Sequence, residues 1–215
     1  KLSIDSKKLY AHTAIIDPVL TVTLPQGLSA STALDALCHA AEAYWSKNSN
    51  EISRVYALEA ISRIVENLEK VIQEPQNPVL RKELALGSLY AGLAFSNTKT
   101  TACHSISYPL TLELGMVHGI AASITLAKVM EINYSSIIER NRLLEAFGVK
   151  NCQEVQKKMQ SFYESAGFSS RLRDYGATEE KIRRIAGNAF TKGRMDNNPV
   201  ALKEEDVHGI LISIL

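Results

Sequence analysis

Apolar residues recur at three- and four-residue intervals through most of this sequence, and that spacing restricts the fold more than any other feature. Residues 51–74 show it best, because arginine, glutamate and lysine separate the apolar positions, as on a helix with one face in a core. The apolar positions of this stretch are Ile52, Val55, Leu58, Ile61, Ile64, Val65, Leu68, Val71 and Ile72. Strands do not alternate with helices along the chain. The sequence therefore predicts an all-α, multi-helix bundle.

Capping signals and glycines divide the rest of the chain into further elements. Asn77 and Pro78 provide an N-cap and a first-turn proline for a helix that runs to about residue 97, and its small residues predict a central position in the bundle. The β-branched stretch 12–25, interrupted by two prolines, predicts a short extended strap before the helices. Further helices are expected at 102–114, 119–133, 135–147, 151–166, 178–190 and 203–214.

The composition restricts the partners that the chain can have. The 24 lysines and arginines nearly balance the 23 aspartates and glutamates, so we expect no nucleic-acid or membrane partner and favour a small molecule. The longest apolar run, 84–95, is too short to span a bilayer. Three cysteines at no paired spacing indicate a reducing compartment, and we expect a cytoplasmic protein. The start at Lys1, with no methionine, predicts that sequence upstream is missing.

Four side chains form a candidate metal site. Asp35 and His39 lie four residues apart in "DALCHAAEAYWSKN", hence on one side of a helix, and His104 and His118 are fourteen residues apart in "TTACHSISYPLTLELGMVHG". A helix, a turn and a helix start can bring the last two together. One carboxylate and three imidazoles suit Fe(II), Zn(II), Co(II) or Ni(II) better than Mg or Ca.

Each of these residues also has a structural interpretation. Asp35 follows Thr32 by three positions, which matches a capping box. His39 and His104 could be core histidines bonded to backbone carbonyls, and His118 could be an N-cap. The remaining histidines, His12 and His208, have no partner at ligand spacing. Cys38 and Cys103 each precede a candidate ligand, but neighbours on a helix point about 100° apart, so both cysteines are interpreted as small buried hydrophobes.

A binding loop for nucleotide phosphates is missing from the sequence. No glycine-rich turn of the G-x-G-x-x-G or G-x-x-x-x-G-K-[ST] type occurs in it. Any dinucleotide must therefore be held mainly by something outside this chain.

Three segments carry a resemblance to a known family. "IIDPVLTVTLP", "STALDALCHAAEAYWSKNSN" and "LAFSNTKTTACHSISYPLTLELGMVHGIAASI" resemble, in order, the C-terminal helical domain of the iron-containing (group III) alcohol dehydrogenases. The resemblance runs from about Lys1 to the end of the chain. It implies that residues 1–215 are a dehydroquinate synthase-like helical, metal-binding domain, and that an N-terminal α/β nucleotide-binding domain is absent from this chain.

The resemblance also implies roles for particular residues. The metal, Fe(II) first and Zn(II) second, would be held by Asp35, His39, His104 and His118. NAD(P), bound mainly by the missing domain, would also contact Lys1, Leu28, Tyr108 and His118. The metal would activate an alcohol or aldehyde oxygen while nicotinamide exchanges a hydride, and the fragment alone would be inactive.

Tyr108 departs from the family pattern. Many members carry a second histidine one turn after the third ligand, where it is discussed as a proton relay. A phenol with a pKa of about 10 donates a hydrogen bond but is no base at neutral pH. Either Tyr108 is therefore a catalytic residue with a modified role, or the proton leaves by another path. Its structural alternative is a packing aromatic whose hydroxyl bonds to the backbone.

Other features bear on the substrate and on rival functions. Lys192 and Arg194 in the loop 192–198 could favour an anionic aldehyde, such as phosphonoacetaldehyde, although such charges also solvate loops.

Helical metal-dependent phosphohydrolases remain an alternative, but they usually place His and Asp in succession, and no His-Asp dipeptide occurs here. A non-enzymatic metal-binding helical module is a third interpretation. Family members often associate through helical surfaces, which suggests a homodimer or larger assembly.

Overall fold

A computed structural model describes residues 7–215, and every regular element in that range is a helix. The α-helices are α1 (Gln26–Trp45), α2 (Glu51–Gln73), α3 (Pro78–Thr98), α4 (Ala102–Leu114), α5 (His118–Ser123), α6 (Leu126–Asn133), α7 (Arg140–Ala146), α8 (Cys152–Ser165), α9 (Glu179–Gly187) and α10 (Glu204–Ile212). Short 3-10 turns occupy Lys7–Leu9, Pro18–Thr21, Tyr134–Ser136, Leu172–Tyr175 and Met195–Asn197. The predicted all-α class is confirmed.

Helix α1 is the centre of the bundle, and the prediction that α3 takes this place is wrong. Fourteen of the twenty residues of α1 are buried, against five of the twenty-one residues of α3. Helix α1 packs against α2, α3, α4 and α5. Its many alanines let these neighbours approach closely, whereas α3 has neighbours on one side only and leaves Leu93 40% exposed.

Helix α2 begins where its sequence predicts and buries most of its apolar face. The Asn50 side chain accepts a hydrogen bond from the Ser53 amide, and the Ser53 hydroxyl accepts one from the Asn50 amide, which satisfies two N-terminal donors. Ile52 and Val55 do not join the core and are 69% and 58% exposed. Asn77 caps α3 as predicted, through bonds from the amides of Val79 and Leu80.

Two predicted helices are divided. The helix expected at 119–133 breaks between α5 and α6 at Ile124 and Thr125, two β-branched residues in succession. The helix expected at 135–147 starts only at Arg140, because Glu139 adopts the left-handed conformation with φ 51°. These backbone changes let the chain turn around α1.

The strap is less extended than predicted. Asp17 caps a 3-10 turn at Pro18–Thr21 by accepting a bond from the Val19 amide, since proline at the first position favours a helical turn over a strand. No strand occurs in residues 7–215. Over the same residues, no helix combines the length and the apolar character that crossing a membrane requires.

Helices α2 and α3 meet at Gly87, which gives a test of their packing. A Cβ at Gly87 would lie 2.7 Å from Cγ1 of the buried Ile64, whereas a Cβ at Gly92 on the same helix meets nothing within 4 Å. We expect Gly87→Ala to lower the free energy of unfolding by about 1–2 kcal/mol, because overpacking outweighs the gain in helix propensity. Gly92→Ala should raise it by up to about 1 kcal/mol. Urea denaturation measures both, and equal signs would contradict this packing.

Candidate metal centre

Asp35 and His39, the first two candidate ligands, lie in the middle of helix α1. Because α1 starts at Gln26, Thr32 is not a cap, and its hydroxyl donates to the Leu28 carbonyl at 2.8 Å; the capping-box interpretation of Asp35 is therefore wrong. The His39 imidazole donates from Nδ1 to the Asp35 carbonyl at 2.9 Å. This bond fixes the tautomer and leaves the Nε2 lone pair of His39 available.

Helices α4 and α5 bring the other two histidines to the same place. His104 lies in the first turn of α4, and Gly115, with φ 65°, ends that helix in the left-handed conformation. The chain then reverses, and His118 is the first residue of α5, with Val117 in the N-cap position. The N-cap interpretation of His118 is thus wrong.

All three imidazoles approach one carboxylate oxygen, Asp35 Oδ1. It lies 3.3 Å from His104 Nε2, 3.8 Å from His118 Nε2 and 3.8 Å from His39 Nδ1. Ligand atoms that share one ion at about 2.0–2.2 Å stand roughly 3–3.5 Å apart. The distances from Asp35 Oδ1 to His104 Nε2 and His118 Nε2 are close to that spacing, whereas the distance to His39 involves Nδ1, the nitrogen that donates to the Asp35 carbonyl. Asp35, His39 and His104 offer potential ligand atoms that all lie within 4.8 Å of one another, and His118 stands at the rim of this group.

The centre contains buried polar atoms whose hydrogen-bonding capacity is unused. Asp35 Oδ1 and His104 Nε2 are both buried and lie 3.3 Å apart, but their geometry does not form a hydrogen bond, and neither has another hydrogen-bond partner in the described part of the chain. An unsatisfied buried polar atom costs about 1–3 kcal/mol. A cation that bound both atoms would remove this cost, so the residues present fit a metal ion.

Glu42, one turn beyond His39 on α1, is a functional residue that the sequence reasoning missed. Its fully buried carboxylate accepts hydrogen bonds from the Thr101 hydroxyl and the Cys103 amide, both at 2.7 Å, and it contacts His104 Nδ1 in a short hydrogen bond. Glu42 therefore directs His104 Nε2 towards Asp35. Its spacing from Asp35 and His39, seven and three residues, was the available signal, because these intervals put all three on one helix face.

Charge and burial set the protonation states of the centre. Burial lowers the pKa of His39, and the neighbouring His104 lowers it further, to about 4, so His39 is neutral at pH 7. Burial also acts to lower the pKa of His104, but the Glu42 and Asp35 carboxylates outweigh it and raise this pKa to about 9. An ion that binds His104 Nε2 must therefore displace a proton.

The cysteines lie behind the centre. Cys38 and Cys103 are completely buried, as predicted, and Cys38 donates to the Ala122 carbonyl at 3.3 Å. Burial raises the pKa of both thiols, which keeps them protonated. Cys38 Sγ lies 3.9 Å from His104 Nδ1, the nitrogen that faces Glu42.

The remaining predicted residues are less closely tied to the cluster. Leu28 lies in the first turns of α1 with 46% of its surface exposed, and Lys1 lies outside the described residues. Tyr108 is half-buried, and its ring stacks on that of His118 with centroids 6.1 Å apart. Burial raises the pKa of Tyr108, and the nearby Arg194 opposes this rise. The histidines without ligand spacing, His12 and His208, join no group of potential ligands in the described residues.

Comparison with known proteins identifies the family. The model of the Fe-containing alcohol dehydrogenase family, C-terminal, matches residues 29–215. This chain belongs to that family. The long-chain-alcohol dehydrogenase 1 of Geobacillus thermodenitrificans is 31% identical in a 212-residue alignment that covers 94% of this chain and 54% of that protein. A phosphonoacetaldehyde reductase of Streptomyces viridochromogenes is 29% identical over 98% of this chain and 56% of its own length.

A solved structure supports the same assignment. The sulfoacetaldehyde reductase from Bifidobacterium kashiwanohense, in complex with NAD+, superposes with a TM-score of 0.84 at 30% identity, over 92% of this chain and 53% of that one. This chain thus spans slightly more than half the length of the family members that it matches. The family assignment made from the sequence is confirmed.

Gly119 lets α5 approach α1 closely enough to bring His118 to Asp35. A Cβ at Gly119 would lie 1.9 Å from the Ser31 carbonyl oxygen, a backbone atom that cannot move independently. We expect Gly119→Ala to lower the free energy of unfolding by about 3 kcal/mol or more. Gly209→Ala, on α10, meets nothing within 4 Å and is the control. Thermal unfolding of the two variants measures the difference, and equal midpoints would contradict this packing.

Proposed function

We propose that this chain is the metal-holding part of an NAD(P)-dependent alcohol dehydrogenase or aldehyde reductase. Asp35, His39, His104 and His118 are the proposed ligands, with Fe(II) as the preferred ion and Zn(II) as the second choice. The observation that carries the proposal is the convergence of three imidazoles on Asp35 Oδ1. Two buried atoms there, Asp35 Oδ1 and His104 Nε2, have no hydrogen-bond partner among the described residues.

The residues of this chain prepare the site before an ion or a substrate arrives. The Asp35 carbonyl and the Glu42 carboxylate hold His39 and His104 in the required tautomers. Phe95 packs on the His39 ring, with centroids 4.3 Å apart, and excludes water from that side. When bound, the metal ion supplies Lewis-acid activation of a hydroxyl or carbonyl oxygen. A rigid ligand set keeps that oxygen in one position relative to the nicotinamide.

Tyr108 is proposed to donate a hydrogen bond in the site. Its pKa is raised by burial, so the phenol stays neutral and cannot serve as a base at pH 7. A protonated hydroxyl beside His118 suits a donor to a substrate or cofactor oxygen. We infer that the proton released in alcohol oxidation leaves by another path.

The dinucleotide is proposed to bind mainly to a part of the protein that this sequence does not include. The described residues offer no glycine-rich phosphate loop, and the family members that match are nearly twice as long. Lys1, Leu28, Tyr108 and His118 are proposed to contact the cofactor from this side. The chain by itself is therefore expected to bind metal and to be inactive.

A small anionic aldehyde, such as phosphonoacetaldehyde, is the proposed substrate. The support comes from two of the matched proteins, whose names specify phosphonoacetaldehyde and sulfoacetaldehyde, and from Arg194, which lies beside Tyr108.

The three unpaired cysteines suit the cytoplasm, which is the proposed location. Association into a homodimer or larger assembly is likewise proposed.

Removal of the shared carboxylate tests the metal site. Asp35→Ala deletes the one group that all three imidazoles approach, and it should reduce bound iron or zinc from near one ion per chain to the background. The control, Glu66→Ala, removes an exposed carboxylate from α2 and should leave the metal content unchanged. Elemental analysis after purification measures both variants. Equal metal content in the two would refute the site.

Glu42 allows a finer test, because it contacts no ion in the proposed arrangement. Glu42→Gln keeps the shape of the side chain but removes the negative charge that faces His104 Nδ1. Metal affinity should fall about 10- to 100-fold, as it does when an outer hydrogen-bond partner of a ligand is lost. Competition with a chelator of known affinity measures the change, and circular dichroism checks the fold. An unchanged affinity in a folded variant would remove Glu42 from the site.

A further inference from the structure

Arg194 contacts the aromatic ring that borders the candidate centre. Its guanidinium carbon lies 5.2 Å from the centroid of the Tyr108 ring, and the same ring stacks on His118. One aromatic ring thus connects Arg194 with a proposed metal ligand. Tyr108 also lies within electrostatic reach of Asp35 and Glu42, which act to raise its pKa.

Arg194 is held in place by neutral groups. Its Nη1 donates to the Thr100 hydroxyl at 2.7 Å, and Thr100 is buried in the loop between α3 and α4. Asn197 donates to the Thr100 carbonyl at 3.1 Å, so the loop after α9 is fastened to the α3–α4 loop beside the centre. The arginine is therefore oriented before any substrate binds.

Among the described residues, no carboxylate forms an ion pair with Arg194. Arg63, Arg142 and Arg184 each form an ion pair with a glutamate, whereas no carboxylate oxygen in the described residues lies within 4.0 Å of Arg194. Arg194 is also half-buried, which strengthens its interaction with an anion relative to an exposed charge. Several of its N–H donors remain for a ligand.

Lys192, two residues earlier, does not share this position. Its side chain is exposed, and no hydrogen bond or ion pair connects it to another described residue. An exposed lysine on a loop contributes little to the binding of a small anion. The two cations of this loop are therefore separable by substitution.

We propose that Arg194, oriented by Thr100 and Tyr108, binds the anionic end of the substrate and determines the preference for phosphonate- or sulfonate-bearing aldehydes. This assignment rests on the proposed function, since it assumes that the carbonyl end lies at the metal centre. A guanidinium offers paired N–H donors that match two oxygens of a tetrahedral oxyanion. Tyr108 is then a positioning residue for Arg194 in addition to its place beside His118.

The test compares two aldehydes of similar size on the full-length protein, with the nucleotide-binding part that the proposed function requires. Phosphonoacetaldehyde carries a tetrahedral anion, and 3,3-dimethylbutanal carries a neutral group of the same shape. Arg194→Met should lower kcat/KM for phosphonoacetaldehyde about 10- to 100-fold, mainly through KM, because a charge-assisted bidentate contact is lost. The rate with 3,3-dimethylbutanal should stay within about twofold. Arg194→Lys should recover part of the loss.

Lys192→Met is the matched control, because it removes one positive charge from the same loop. It should leave both aldehydes within about twofold of the unaltered protein. Equal losses in Lys192→Met and Arg194→Met would show that only the general charge of the loop matters. A similar loss for both aldehydes in Arg194→Met would indicate a structural role. A preference of the unaltered protein for the neutral aldehyde would also overturn the proposal.

A binding measurement separates this proposal from the proposed function. Calorimetric titration of the full-length protein with methylphosphonate should show binding that Arg194→Met weakens about tenfold or more and Lys192→Met does not. If neither aldehyde is reduced but methylphosphonate binding depends on Arg194, the proposed function fails and the anion site stands. If methylphosphonate does not bind, or binds equally to Arg194→Met, the anion site is refuted.

Discussion

The buried carboxylate of Glu42 is the interaction on which the candidate centre depends. It comes from α1, the central helix, and it receives hydrogen bonds from the N-terminal residues of α4 as well as from the His104 ring. A negative charge at this end of α4 also interacts favourably with the helix dipole. One side chain thus joins two helices and orients an imidazole, and the same contact that stabilises the bundle prepares the site.

The polar atoms on the inner side of the candidate centre form hydrogen bonds, whereas two buried polar atoms on its outer side do not. Towards the core, His39 and His104 donate to acceptors that fix their orientation. On the opposite side, Asp35 Oδ1 and His104 Nε2 face each other at 3.3 Å and have no hydrogen-bond partner in the described residues. A fold selected for stability alone would give these buried atoms hydrogen bonds, because a buried polar atom without one costs free energy. This asymmetry is what a rigid ligand set requires, and it implies that stability is given up for function.

The rim of the centre is built from elements distant in sequence. Tyr108 extends from α4 beside His118, and Arg194 reaches Tyr108 from the loop that follows α9. Thr100, in the loop between α3 and α4, accepts a hydrogen bond from Arg194. The inner residues all belong to helices, whereas the outermost cation belongs to a loop. Helices hold side chains precisely in place, and loops vary more easily, so this division would allow the proposed metal centre to serve different substrates.

Much of the fold and part of the site followed from local sequence. Three-and-four spacing identified most helices, Asn77 and Pro78 marked the start of α3, and the interval between Asp35 and His39 placed both on one side of α1. These properties depend on helix geometry, which neighbouring residues determine. The breaks at Thr125 and Glu139 did not follow from the spacing of apolar residues alone.

What only the tertiary structure decided is which residues meet. Sequence spacing could not rank α1 over α3 as the central helix, since burial depends on partners that are distant in the chain. Glu42 was visible in the sequence but had no role until Thr101 and His104 were brought beside it, 59 and 62 positions away. Arg194 was one of two similar cations until its contacts with Thr100 and Tyr108 separated it from Lys192. The periodicity of a chain determines which face of a helix is apolar, but only packing determines what that face touches.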